Sequence, residues 1–149
     1  MEITLYQPDI AQNLGSAMRS CACFNVPLSV IEPCGFPLSV KALRRTAMDY
    51  GTPEAIHRYK DWDYFKSQLQ GRVILFTTKG ATPLDQFEFK SDDTLLFGRE
   101  SAGVPDFVHE QVDERVIIPI NPDVRSFNLA TSVAISLYEA LRQTNGLPK

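Results

Sequence analysis

The sequence predicts an α/β fold, with a mostly parallel sheet and helices on both of its faces. Two observations lead there. Short runs rich in β-branched and aromatic residues alternate along the chain with longer stretches whose apolar residues recur every three or four positions. Several of the short runs are almost wholly apolar, the pattern of strands buried on both sides as parallel strands are. At 149 residues, with no repeat, linker or low-complexity segment, residues 1–149 are expected to form a single domain.

The first strand is ITLY at 3–6, and Ala11 to Phe24 is a helix. LSVI at 28–31 is the second strand, followed by helices from Val40 to Tyr50 and from Trp62 to Leu69. RVILFTT at 72–78, TLLF at 94–97 and RVIIPI at 115–120 complete the expected strands. The last helix, Phe127 to Gln143, has the clearest apolar face, formed by Leu129, Ala130, Val133, Ala134, Leu137, Tyr138 and Leu141. Ser126 or Asn128 suits its N-cap, and Gly146-Leu147-Pro148 stops anything beyond.

Composition narrows the function classes. The first residues, MEITLYQPDI, lack the basic start and long apolar stretch of a signal peptide, and no run of about eighteen apolar residues offers a membrane span. A soluble cytoplasmic protein is expected. Cys21, Cys23 and Cys34 are an odd set without a second Cys/His cluster, which argues for reduced structural thiols and against a zinc site. The net charge of −3 does not suit a protein that coats nucleic acid through many phosphate contacts. From Ser39 to Lys60, however, Lys41, Arg44, Arg45, Arg58 and Lys60 face only Asp49 and Glu54. Such a run is either a solvated helix face or a confined RNA contact.

Ligands of parallel α/β sheets sit beyond the carboxyl ends of strands, so the segment after each strand matters most. After the first comes Asn13-Leu14-Gly15-Ser16-Ala17-Met18-Arg19, with Asn13 near a helix start and Arg19 six residues on. Both could border one cleft, or the segment could be a capped helix with an exposed arginine. After TLLF comes Gly98-Arg99-Glu100-Ser101-Ala102-Gly103-Val104-Pro105, in which the glycines serve a sharp turn or the close approach of a ligand. After RVIIPI, polar groups converge on a helix start in Asn121-Pro122-Asp123-Val124-Arg125-Ser126-Phe127-Asn128-Leu129-Ala130, and free backbone N–H groups there suit a ligand's acceptors.

Several familiar sites are missing. The glycines never fall as Gly-x-Gly, and neither a P-loop nor a Gly-x-Ser-x-Gly elbow occurs. His57 and His109 have no evident nucleophile partner and are read as structural or surface residues.

Taken in order, the three segments resemble the signature blocks of the SPOUT class, in its TrmH-like branch of RNA ribose methyltransferases. The blocks are Asn13-x-Gly15 with Arg19; Phe97-Gly98-x-Glu100-x-x-Gly103; and Ile118-Pro119-Ile120 followed by Arg125-Ser126-x-Asn128-Leu129. Ile31-Glu32-Pro33 and Lys41-x-Leu43-Arg44-Arg45-x-x-Met48-Asp49-Tyr50 are most similar to the bacterial TrmL subgroup, which acts on the wobble nucleotide, position 34, of certain leucine tRNAs.

The resemblance implies S-adenosylmethionine as cofactor, a C-terminal deep trefoil knot, and a homodimer whose active sites are completed across the interface. A knot runs against general topology. The resemblance implies cofactor contacts from Phe76, Thr77, Thr78, Gly98, Glu100, Ile118, Ile120, Ser126 and Leu129, and catalytic positions at Asn13, Arg19, Glu100, Ser126 and Asn128. Phe127 stands where relatives more often carry Leu or Met.

Methyl transfer to a 2′-hydroxyl requires aligning the oxygen behind the methyl and removing its proton. A guanidinium is a poor base, so Arg19 is cast as holding the adjacent phosphate and stabilising the developing alkoxide. Lys41, Arg44 and Arg45 are then candidates for gripping the tRNA anticodon stem-loop. Methylation of another tRNA position or of rRNA, a non-catalytic cofactor- or RNA-binding module, and a generic nucleotide-binding domain remain as alternatives.

Overall fold

The computed structural model describes residues 1–47, 55–79 and 82–149, except for the side chains of 44–47. Its strands are β1 (Glu2–Tyr6), β2 (Leu28–Ile31), β3 (His57–Tyr59), β4 (Val73–Phe76), β5 (Thr82–Pro83), β6 (Thr94–Phe97) and β7 (Glu114–Ile117). Its helices are α1 (Ala11–Phe24), α2 (Val40–Ala47), α3 (Trp62–Gln68), α4 (Asp106–Gln111) and α5 (Leu129–Gln143). The strands form one parallel sheet in the order β3-β2-β1-β6-β4-β7-β5.

Alternate residues of the central strands enter different cores. Ile74 and Phe76 of β4, and Leu95 and Phe97 of β6, pack with Leu14, Ala17 and Met18 of α1 and Val133 and Leu137 of α5. Val73 and Leu75, with Leu96, pack instead with Trp62 and Phe65 of α3 and Val108 of α4. Burial on both faces is why these strands read as continuous apolar runs. One polar pair crosses the interior: the fully buried Thr4 and Ser29, in register on β1 and β2, share a 2.7 Å hydroxyl hydrogen bond. That bond offsets the cost of burying them.

At the amino end of β4, Arg72 grips the buried Asp93 carboxylate through Nε (2.9 Å) and a terminal nitrogen (2.8 Å). The Lys90 N–H also donates to that carboxylate. This clamp lies at the opposite end of the sheet from the strand-end loops.

Some boundaries differ from expectation. β3 has two exposed residues and, among the described residues, pairs with β2 alone, so it carries no apolar run. β5 has two residues and α4 six, too few for a periodic signal. β4 ends at Phe76 and β7 at Ile117, short of the predicted 78 and 120, because the chain leaves the ladder there for the strand-end loops. The Thr77 N–H still reaches Val116 O at 3.0 Å. α5 starts at Leu129 rather than Phe127, because the Asn128 side-chain oxygen caps it by accepting from Ala130 N (2.9 Å) and Thr131 N (3.3 Å). The expected end of α2 at Met48 to Tyr50 lies outside the described residues. Among the described residues, no helix is long and apolar enough to cross a membrane.

Candidate active site

A cleft of about 560 Å³ opens beyond the carboxyl ends of β4, β6 and β7, within the size range of pockets for small organic ligands. Three loops converge on it. The end of β4 contributes Phe76, Thr77 and Thr78; the loop after β6 contributes Gly98 and Glu100; and the chain after β7 contributes Ile118, Ile120, Ser126 and Leu129. All the residues expected around the cofactor therefore line one cavity. Asn13 and Asn128 line it as well.

The loop after β6 is tight. Arg99 N–H donates to Gly103 O (3.0 Å) and Gly103 N–H to Arg99 O (2.8 Å). A Cβ on Gly98 would meet the Gly103 carbonyl carbon at 2.5 Å, while Gly103 has φ +64°, a conformation that glycine adopts without strain. The two glycines thus serve a turn, and the turn forms a wall of the cleft.

A hydrogen-bonded chain joins three distant segments inside it. Glu100 Oε2 accepts the Asp9 N–H (2.7 Å), and Glu100 Oε1 accepts from Asn13 Nδ2 (3.1 Å). Asn13 Oδ1 in turn accepts from Asn128 Nδ2 (2.9 Å). Both amide orientations follow from this pattern: the Asn128 oxygen must face the α5 amides, leaving its nitrogen to donate to Asn13, whose own nitrogen is left for the carboxylate. Asp9 braces the same loop by accepting from Ser101 Oγ (2.5 Å) and Ser101 N (3.2 Å). The Ser101 hydroxyl bond, aided by the Arg99 charge, holds the Asp9 carboxyl below its ordinary range.

Arg19 behaves differently. It does not line the cleft formed by its own chain, although Asn13 on the same helix does. Six residues advance about 9 Å along a helix and turn it through about 240° beyond one full revolution, so the two cannot share a face. Lys41 is exposed on α2, and the side chains of Arg44 and Arg45 lie outside the described residues.

Three lining residues carry no signal in the sequence. Lys79 follows β4, Arg99 occupies a variable place in the second block, and His109, expected to be structural or at the surface, lines the cleft from α4. Burial, with Lys79 and Arg115 nearby, holds the His109 imidazole below its ordinary pKa despite the opposing charge of Asp106. His57 is exposed on β3 and stacks on Tyr59. Among the described residues, no group of three or more His, Cys, Asp or Glu side chains is placed to hold a metal.

Residues 1–138 match the SpoU rRNA methylase family. The chain belongs to the SpoU methylase family. The tRNA (cytidine(34)-2′-O)-methyltransferases that it matches are of similar length. A tRNA (cytidine(34)-2′-O)-methyltransferase of Beijerinckia indica is 46% identical, the match covering 99% of this chain and 94% of that protein. The tRNA (cytidine(34)-2′-O)-methyltransferase of Escherichia coli K12 is 36% identical over 96% of this chain and 93% of its own. A solved structure concerned with 2′-OH methylation of C/U34 on tRNA superposes with a TM-score of 0.91 at 37% identity, covering 97% of this chain and 96% of that one. An S-adenosylmethionine-bound rRNA methyltransferase from Sinorhizobium meliloti shares the fold at 24% identity, with a TM-score of 0.81 over 95% of this SpoU methylase and 55% of that chain.

Proposed function

We propose that this protein transfers a methyl group from S-adenosylmethionine to the ribose 2′-hydroxyl of the wobble nucleotide of tRNA, cytidine or uridine 34, in the cytoplasm. The carrying observation is the cleft, in which the Glu100–Asn13–Asn128 chain lies against residues from all three strand-end loops. Full-length relatives of the same stated activity support the choice of substrate.

The residues present fit the cofactor. Leu75, Phe76, Ile118 and Leu129 give an apolar wall for a purine, while the strand-end loops offer backbone donors and acceptors; the α5 amides of Ala130 and Thr131, expected to be free for a ligand, are instead taken by the Asn128 cap. When bound, the cofactor supplies an electrophilic methyl on a sulfonium. Phe76, Thr77, Thr78, Gly98, Ile118, Ile120, Ser126 and Leu129 would hold it. Glu100 fixes Asn13, Asn13 fixes Asn128, and the three keep the loop after β6 in register with the start of α5. Catalysis here is alignment of the 2′-oxygen and removal of its proton.

The exposed position of Arg19, outside its own chain's cleft, supports a homodimer in which Arg19 completes the site of a second copy. Exposed Val124, Phe127 and Tyr138, apolar surface near the site and on α5, support the same arrangement. The convergence of the loops after β4, β6 and β7 on one cavity supports threading of the C-terminal segment as a trefoil knot. Lys41, Arg44 and Arg45 would take the anticodon stem-loop.

The test is incubation of the purified protein with labelled S-adenosylmethionine and unmodified bulk bacterial tRNA, followed by mass-spectrometric mapping. Methyl on the ribose of nucleotide 34 is expected. Label on another position or only on rRNA would reassign the substrate, and no transfer would leave a binding module. Mixing Arg19→Ala and Ser126→Ala chains, each inactive alone, should restore partial activity if sites are shared between copies.

A further inference from the structure

We infer that Arg99 is a substrate-positioning residue whose guanidinium seats the RNA phosphate on the 3′ side of the methylated ribose, alongside the Arg19 expected from a second copy. The inference rests on the function proposed for the cleft and assigns a role to a side chain that the family blocks leave variable.

Arg99 follows β6, lines the cleft and is half-buried. A guanidinium carries five N–H donors and no acceptor. Among the described residues, Arg99 has one side-chain hydrogen bond, from a terminal nitrogen to Gln7 Oε1, and its Nε is buried without a partner. The nearby carboxylates spend their hydrogen bonds elsewhere: Asp9, although it feels the Arg99 charge, accepts from Ser101, and Glu100 accepts from the Asp9 N–H and Asn13. A half-buried cation at the cleft wall, with a buried Nε that has no acceptor, is a ready seat for an anion, with bidentate geometry suited to phosphate.

Its direction selects the anion. Gln7, which holds Arg99, lies just past β1 and donates from Nε2 to Glu32 O (3.4 Å), beyond β2. Gln7 has φ +45°, a left-handed conformation unusual for glutamine, and its N–H donates to Ile31 O (2.8 Å). Such a position persists only where the surroundings enforce it. The guanidinium therefore leans toward the β1 and β2 side of β6, whereas the residues proposed for the cofactor, Gly98 at the end of β6 apart, follow β4 and β7 on the other side. Strands β1 and β4 are two places apart, about 10 Å. The ribose 2′-oxygen is adjacent to its own 3′-phosphate, so an oxygen aligned in the cleft brings that phosphate within reach of its β1 side.

The test uses full-length protein, tRNA and S-adenosylmethionine, with Arg99→Gln, Arg99→Lys and Gln7→Ala. Arg99→Gln should raise KM for tRNA about tenfold or more and flatten the salt dependence of tRNA affinity by about one phosphate's share, a slope of about 0.7 to 0.9. Its S-adenosylmethionine affinity should equal wild type. Arg99→Lys should recover the salt slope and part of the KM. Gln7→Ala, which removes the brace but keeps the charge, should keep the full slope. The inference is overturned if Arg99→Gln weakens cofactor binding as much as tRNA binding, which would make the anion the cofactor carboxylate. It is also overturned if the slope stays at the wild-type value, or if Gln7→Ala loses the same slope, which would make Arg99 a structural brace. A wild-type protein that transfers no methyl to tRNA refutes the proposed function instead, before any variant is compared.

Discussion

Replacing Asn128 with alanine removes two interactions that the structure keeps separate. The side-chain oxygen caps α5 through Ala130 N and Thr131 N, and the side-chain nitrogen donates to Asn13 inside the cleft. Loss of an N-cap costs about 1 kcal/mol, and loss of one partly buried neutral hydrogen bond about 0.5–1 kcal/mol. The expected sum is about 1.5–2 kcal/mol, which lowers Tm by about 3–8 °C in a chain of this size. Asn128→Ser separates the two, since a serine hydroxyl caps a helix but cannot span to Asn13. It should recover about 1 kcal/mol of the loss while methyl transfer stays as depressed as in Asn128→Ala. Thermal unfolding by calorimetry with a single-turnover methylation assay reads both quantities. If Asn128→Ala leaves Tm unchanged, or Asn128→Ser is as destabilised as alanine, the assignment of these bonds is wrong.

Asp93→Ala should destabilise the protein by about 3 kcal/mol in urea unfolding, because it strands the Arg72 guanidinium and the Lys90 N–H at a buried clamp. Gly98→Ala should lower Tm and weaken S-adenosylmethionine binding together, since its Cβ would collide with Gly103 and Val104 backbone in the wall of the cleft; wild-type cofactor affinity in calorimetry would contradict that packing. Hydrogen bonds from Arg142 and Gln143 push the Glu139 carboxyl down to about 2 from its ordinary 4.5. A folded value below the unfolded one means the stabilisation is complete above about pH 4.5 and fades as pH falls toward 2. Glu139→Gln should therefore flatten the acid limb of a stability-against-pH curve over that window, and an unchanged limb would refute the linkage.

Much of the fold is legible in the sequence because its signals are local. β2 and β6 emerge at their predicted limits, since a strand buried on both faces is apolar at nearly every position. α1 spans its predicted limits, and α5 follows its apolar stripe. β3, β5 and α4 escape notice because an exposed edge strand and elements of two or six residues bury too little to impose a period.

The candidate site divides along the same line. Asn13, Glu100, Ser126 and Asn128 stand out in the sequence because each lies just past a strand end or at a helix start, where polar groups and glycine are locally informative. The sequence by itself determined the alternation of elements, the covered parallel sheet and the three segments that could meet. Tertiary structure alone decided that Glu100 would reach Asn13 and Asp9 across 87 and 91 residues, and that Arg99 would rest on Gln7. Such contacts depend on strand order and on the direction of single side chains, and neither is encoded in any local pattern of hydrophobicity.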